Sequence, residues 1–106
     1  MAYEDLLPKE FLAAYNEQLE NAVLLDVRTT AEIADANIDG HIAIDIQQPG
    51  FTEKVANLDK TKTYFIYCRS GNRSGQACRY MATQGFGKLY NLKGGMLEWV
   101  ETDFES

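Results

Sequence analysis

The sequence predicts an α/β domain on a mainly parallel sheet, and three observations carry that expectation. Strand-like segments alternate with helix-like ones along the chain. Two strand segments, at 22–27 and 63–67, are nearly unbroken apolar runs, the pattern of strands covered on both faces. The chain has 106 residues, 45% hydrophobic and 11% aromatic, which is the length and apolar content of one core. A single domain over residues 1–106 is expected.

The elements follow in order. Phe11, Leu12, Tyr15 and Leu19 recur at helical spacing within 8–20, and Pro8 suits a first helical turn. The run at 22–27 is the first expected strand. Thr29 followed by Glu32 has the form of a capping box opening a short helix to about Ala36. Residues 41–46 read as a further β segment, and 51–58 as a short helix turning Phe51, Val55 and Leu58 inward. The segment 63–67, T-Y-F-I-Y, is β-branched and aromatic throughout. A polar loop leads into a helix at about 74–84 that Gly85 ends. A strand at 88–92, a Gly94-Gly95 turn and a last amphipathic helix with Met96, Leu97, Trp99 and Val100 complete the chain.

Charge and cysteine usage exclude several classes. The net charge is −6, which disfavours nucleic acid, since phosphate contacts need clustered Lys and Arg. Apolar runs stop at four or five residues and the start of the chain is acidic, so neither a membrane span nor a secretory signal is expected. Two cysteines are too few for a disulfide framework, and cysteine with a single histidine makes no zinc site. A cytoplasmic location, with no metal and no membrane partner, is the expectation. Three of the four arginines, Arg69, Arg73 and Arg79, fall close together, pointing to a local anion site in an acidic protein.

The chemistry concentrates at 67–75, Y-C-R-S-G-N-R-S-G. A buried strand delivers a thiol to a polar loop, and a helix starts directly after it. In α/β sheets ligands sit beyond the carboxyl ends of the strands, where Cys68 lies. If the loop curls around the sulfur, its amides and the first amides of the helix converge there, an anion site that favours a thiolate. Gly71 permits positive φ, and Ser70, Asn72 and Ser74 are suited to satisfying loop amides or capping the helix. Arg69 and Arg73 add positive charge. The pattern points to a sulfur nucleophile.

The sequence resembles the rhodanese family of sulfurtransferases. The matching pieces run in order through most of the chain: V-L-L-D-V-R at 23–28, A-N-I-D-G-H-I-A-I at 36–44, Y-C-R-S-G-N-R-S at 67–74 and Y-N-L-K-G-G-M-L-E-W at 90–99. The resemblance implies a rhodanese-like fold, a five-stranded mainly parallel sheet flanked by helices on both faces. It implies that Cys68 takes a sulfane sulfur from a small anionic donor such as thiosulfate, becomes a persulfide, and passes the sulfur to a thiol, protein or cyanide acceptor. No cofactor is needed. Residues 69–74, from Arg69 to Ser74, would bind the donor, and Asp26 and Arg28 would order the site, Asp26 by bonding loop amides or by a simple ion pair. The second segment departs from the family's usual G-H-I-P-G-A-I-N-I, and no role is assigned to His41.

Other residues have plainer readings. Cys78 is expected to pack against the sheet, a resolving thiol being the alternative. Arg79 reads as an exposed helical residue, Trp99 as core, and Gly94-Gly95 as a tight turn. Two rival functions stand beside sulfur transfer. One is a rhodanese-like binding or persulfide-relay module serving a dedicated protein. The other, more remote, is a cysteine-dependent phosphatase or arsenate reductase. Those enzymes place five residues between nucleophile and arginine, whereas four separate Cys68 from Arg73 here.

Overall fold

The computed structural model describes residues 2–105; Met1 and Ser106, the ends of the expected domain, lie outside them. Five strands form one parallel sheet: β1 (Glu4–Leu6), β2 (Ala22–Asp26), β3 (Ile42–Ala43), β4 (Thr63–Tyr67) and β5 (Lys88–Leu92). Their spatial order is β1-β5-β4-β2-β3. The helices are α1 (Pro8–Glu17), α2 (Thr30–Asp35), α3 (Phe51–Ala56), α4 (Asn72–Thr83) and α5 (Gly95–Glu101).

Strand β4 lies at the centre of the sheet and every one of its residues is buried. Alternation along it divides the core in two. Tyr64 and Ile66 join Leu25, Val55, Ala77 and Met81 under α3 and α4. Phe65 and Tyr67 join Phe11, Leu24, Leu92 and Met96 under α1 and α5. Phe65 is held there by edge-on contacts with Phe11 and Tyr15 and by stacking on Tyr90. Helices therefore cover both faces, as expected.

Apart from ends shifted by one or two residues, as in α3 and β2, the elements differ from the sequence reading in four places. Strand β1 was not expected; its three residues carry no periodicity and become a strand only by pairing with β5. The helix at 8–20 divides into α1 and a 3₁₀ turn at Leu19–Asn21. The β segment at 41–46 is regular strand over two residues only, at the sheet edge, with the Ile44 and Ile46 N–H groups still donating to the Asp26 and Val27 carbonyls. Helix α4 starts at Asn72, two residues early, because Gly71 at φ 98° turns the chain with no side-chain cap.

Candidate active site

Cys68 follows the last residue of β4, and its side chain belongs to the core cluster under α4. It has no exposed surface. Two donors nonetheless converge on its sulfur: the Gly71 N–H at 3.1 Å and the Ser74 hydroxyl at 3.2 Å. One comes from the loop and one from the first turn of α4, as a curled loop requires. Gly71 is tightly enclosed, and a Cβ there would lie 3.3 Å from Gly94 N and Leu92 O. Its carbonyl accepts from the Asn91 side-chain amide at 3.2 Å, and Asn91 also donates to Asp5 at 2.9 Å.

The start of α5 closes the other side of the loop. Met96 N–H donates to the Cys68 carbonyl at 2.9 Å and Leu97 N–H to the Arg69 carbonyl at 3.1 Å. Gly95 makes this approach possible, since a Cβ there would lie 2.6 Å from the Cys68 carbonyl oxygen and closer still to that of Arg69. Its φ of 57° lies in the left-handed region as well. Both carbonyls beside the thiol are thus satisfied by a helix that begins where only glycine fits.

Charged residues join the loop to the neighbouring strand end. Asp26 and Arg28 form a buried ion pair at 2.8 Å, and Asp26 also accepts the Arg28 backbone N–H. The Arg28 guanidinium donates to the Ala36 carbonyl at 2.6 Å and to that of Glu32 at 3.4 Å, so it holds the end of α2. It lies 5.5 Å from the centre of the Tyr67 ring. Of the two readings of Asp26, the carboxylate's partner is Arg28. Burial raises the Tyr67 phenol well above its ordinary value, and its oxygen accepts the Ile38 N–H.

Arg73, in the first turn of α4, makes a two-pronged ion pair with Glu32, with both contacts at 2.7 Å. Glu32 is at the same time the third residue of α2 and completes the capping box with Thr29. The Arg73 hydrogen bond, with help from Thr29, holds its carboxyl down to about 2. Arg69, Ser70 and Asn72 are exposed around the loop. A cleft of about 170 Å³ opens beside it, with Arg69, Glu32, Ala36, Met96, Leu97 and Val100 in its walls.

A family model, the rhodanese-like domain, matches residues 7–102. This chain belongs to that family. A sulfurtransferase of Allochromatium vinosum is 37% identical over 94 residues, covering 89% of this chain and 86% of the relative. The thiosulfate sulfurtransferase GlpE of Pseudomonas savastanoi pv. phaseolicola is 31% identical over 96 residues, covering 91% and 87%. The crystal structure of a rhodanese-related protein from Thermoplasma volcanium superposes with a TM-score of 0.77 at 27% identity, over 93% of this chain and 92% of that one.

The rhodanese-like architecture also places the remaining residues. Cys78 lies inside α4, fully buried among apolar neighbours, and burial pushes its thiol up to about 12. Arg79 is exposed and reaches the Tyr3 hydroxyl. Trp99 packs edge-on against Phe11. Of the apolar residues of the last helix, Met96 and Trp99 turn toward the sheet, while Leu97 and Val100 are 47% and 62% exposed. His41 donates its Nδ1–H to the Ile38 carbonyl at 2.9 Å. Sequence reasoning missed Asn91, Gly95 and the pairing of Glu32 with Arg73. Gly95 was visible within the Gly-Gly pair, and Glu32 within the capping box, but each was assigned only its local role.

Proposed function

We propose that this rhodanese-like domain is a sulfurtransferase that carries sulfane sulfur on Cys68 as a persulfide. A small anionic donor such as thiosulfate is the source, and a thiol or cyanide the acceptor. The Cys68 thiolate attacks the outer sulfur of thiosulfate; the new S–S bond forms as the old one breaks, and sulfite leaves with the electron pair. The acceptor then attacks the outer sulfur of the persulfide, and Cys68 departs as the thiolate. Both steps are displacements and use no cofactor or metal.

The observation that carries this reading is the convergence of the Gly71 N–H and the Ser74 hydroxyl on the Cys68 sulfur at a strand end. Both donors stabilise negative charge on whichever sulfur occupies the cradle. Arg69, Ser70 and Asn72 stand at the entrance to receive an anion, Arg73 and Gly71 shape the loop, and Asp26 with Arg28 orders it from the next strand end. The sulfur is covered in the resting loop, so donor entry requires residues 69–71 to yield. The free state of both cysteines fits a reducing, cytoplasmic setting.

Intact-mass spectrometry after thiosulfate treatment tests the proposal. Wild type gains one sulfur atom that reducing thiols remove, and Cys68→Ser gains none. A mutant that still gains it moves the carrier elsewhere. A second reading, relay to a dedicated protein acceptor, is favoured by the exposed Leu97 and Val100 beside Arg69, an apolar surface next to a cation. Sulfur uptake by Cys68 without thiosulfate:cyanide turnover supports that reading over the general enzyme.

A further inference from the structure

Arg73 was expected to meet the anionic donor. Its guanidinium is instead gripped at both ends by Glu32, from a helix forty-one residues away in sequence. A fork-to-carboxylate pair of this kind fixes orientation as well as distance. Arg73 stands between the two residues whose donors reach the sulfur, Gly71 and Ser74, so whatever holds Arg73 holds the first turn of α4. Glu32 is itself held by three groups: the backbone N–H and hydroxyl of Thr29, and its own backbone N–H to the Thr29 oxygen. Arg28, anchored on Asp26, grips the Glu32 carbonyl from beneath. A continuous set of contacts thus runs from the end of β2, through α2, to the loop over the thiol.

We infer that Glu32 is a positioning residue: through Arg73 it holds the Gly71 amide and the Ser74 hydroxyl against the Cys68 sulfur, and it cancels the Arg73 charge. This rests on the sulfur-transfer reading for its consequence in rate, though not for its geometry. Arg69, which has no ion pair among the described residues, is then the cation that greets an anionic donor. The arrangement separates attraction from alignment: Arg69 attracts, and Glu32 with Arg73 aligns.

Alignment and charge attraction by Arg73 would change the rate in opposite directions. Glu32→Gln keeps a side chain able to serve the capping box while removing the charge. If Arg73 were there to attract the donor, releasing it would speed uptake at low thiosulfate. If Arg73 aligns the cradle, release slows the step at saturating donor and leaves half-saturation unchanged or lower. Single-turnover persulfide formation, followed by mass at varied thiosulfate, measures both. The saturating rate of Glu32→Gln is expected to fall about tenfold, and the Gly71 amide to exchange with solvent faster. Arg73→Lys, which keeps the charge and loses the fork, is expected to behave alike and serves if Glu32→Gln does not fold. Uptake that is unchanged or faster, or a loss confined to half-saturation, overturns the inference. Wild type that takes up no sulfur, with faster Gly71 exchange in Glu32→Gln, sinks the functional proposal and leaves the positioning role standing.

Discussion

The domain has two cysteines, and accessible surface does not tell them apart: Cys68 and Cys78 are both 0% exposed. They differ in what surrounds the sulfur. Cys78 lies within α4 among Met81, Ala77 and the sheet, and burial, offset only in part by the Arg79 charge, pushes its thiol up to about 12. Cys68 follows the end of a strand, and its sulfur receives a backbone N–H and a hydroxyl. Burial alone makes a cysteine inert; burial with donors aimed at it makes a site. Ten residues of sequence separate these outcomes because the strand stops and a glycine turns the chain between them.

The comparison is broken most directly by exchanging the roles. Cys68→Ser is expected to reduce sulfur transfer at least a thousandfold, the scale set by loss of a covalent nucleophile. Cys78→Ala removes one buried sulfur from a helix that faces the core, at a cost of about 1–2 kcal/mol, and leaves sulfur uptake intact. Denaturant melts and sulfur-uptake assays on both variants check this. Uptake that is lost with Cys78→Ala while the fold persists would give the second thiol the resolving role.

Glycine positions offer the next largest effect. Gly95→Ala forces a Cβ onto the Cys68 and Arg69 carbonyls at a φ of 57°. A loss of roughly 3 kcal/mol is expected, with sulfur uptake falling in parallel as the loop is pushed aside. Gly87→Ala places its methyl group where nothing lies within 4 Å, and stability is expected to change by less than about 1 kcal/mol. Equal melting midpoints for the two variants would mean that the contact of α5 with the loop is not what holds the loop shut.

These sites differ in how readily the sequence reveals them. The strand 63–67 was legible to the residue, because a central strand buried along its whole length is apolar and β-branched on both faces. The strand 88–92 was legible from its short apolar stretch between glycines, although Lys88 is exposed and Asn91 is polar. The capping box at Thr29 was legible because it is local. The thiol at the strand end followed from the same reasoning. Strand β1 was not legible, since Glu4 and Asp5 have no strand propensity and owe their conformation to pairing with Tyr90 and Asn91. Nor was the orientation of Arg73. A capping Glu and a loop Arg announce themselves separately; their meeting depends on the sheet order, which puts the ends of β2 and β4 side by side.

Within the cradle, Ser74→Ala deletes the hydroxyl that reaches the sulfur while leaving the Gly71 amide. Hydrogen bonds to charged groups contribute about 1.5–3 kcal/mol, so sulfur uptake is expected to fall about tenfold or somewhat more. Stability should change little, since the site keeps its backbone contacts. The ratio of saturating rates, wild type to variant, is the measurement. A variant as fast as wild type would leave the Gly71 amide as the one necessary donor.

The smallest effect separates the tie between α2 and α4 from the rest of the fold by pH. The Glu32 carboxyl titrates at about 2 in the folded protein against an ordinary 4.5. A depressed carboxyl stabilises the fold above its unfolded value, and that contribution is lost as pH falls from about 4.5 toward about 2. Arg73 and Glu32 keep 21% and 26% of their side-chain surface in water. Water and salt screen the pair, so it contributes about 1 kcal/mol rather than the several that the full shift would convert to. Urea unfolding of wild type and Glu32→Gln is therefore expected to differ by that amount at pH 7 and to converge near pH 2, with the gap narrowing in high salt. Cys78, on the inner face of the same helix, has no part in this titration, so Cys78→Ala should leave the pH dependence of the gap unchanged. A gap that persists at pH 2 would mean that Glu32 acts through its helix cap and not through Arg73.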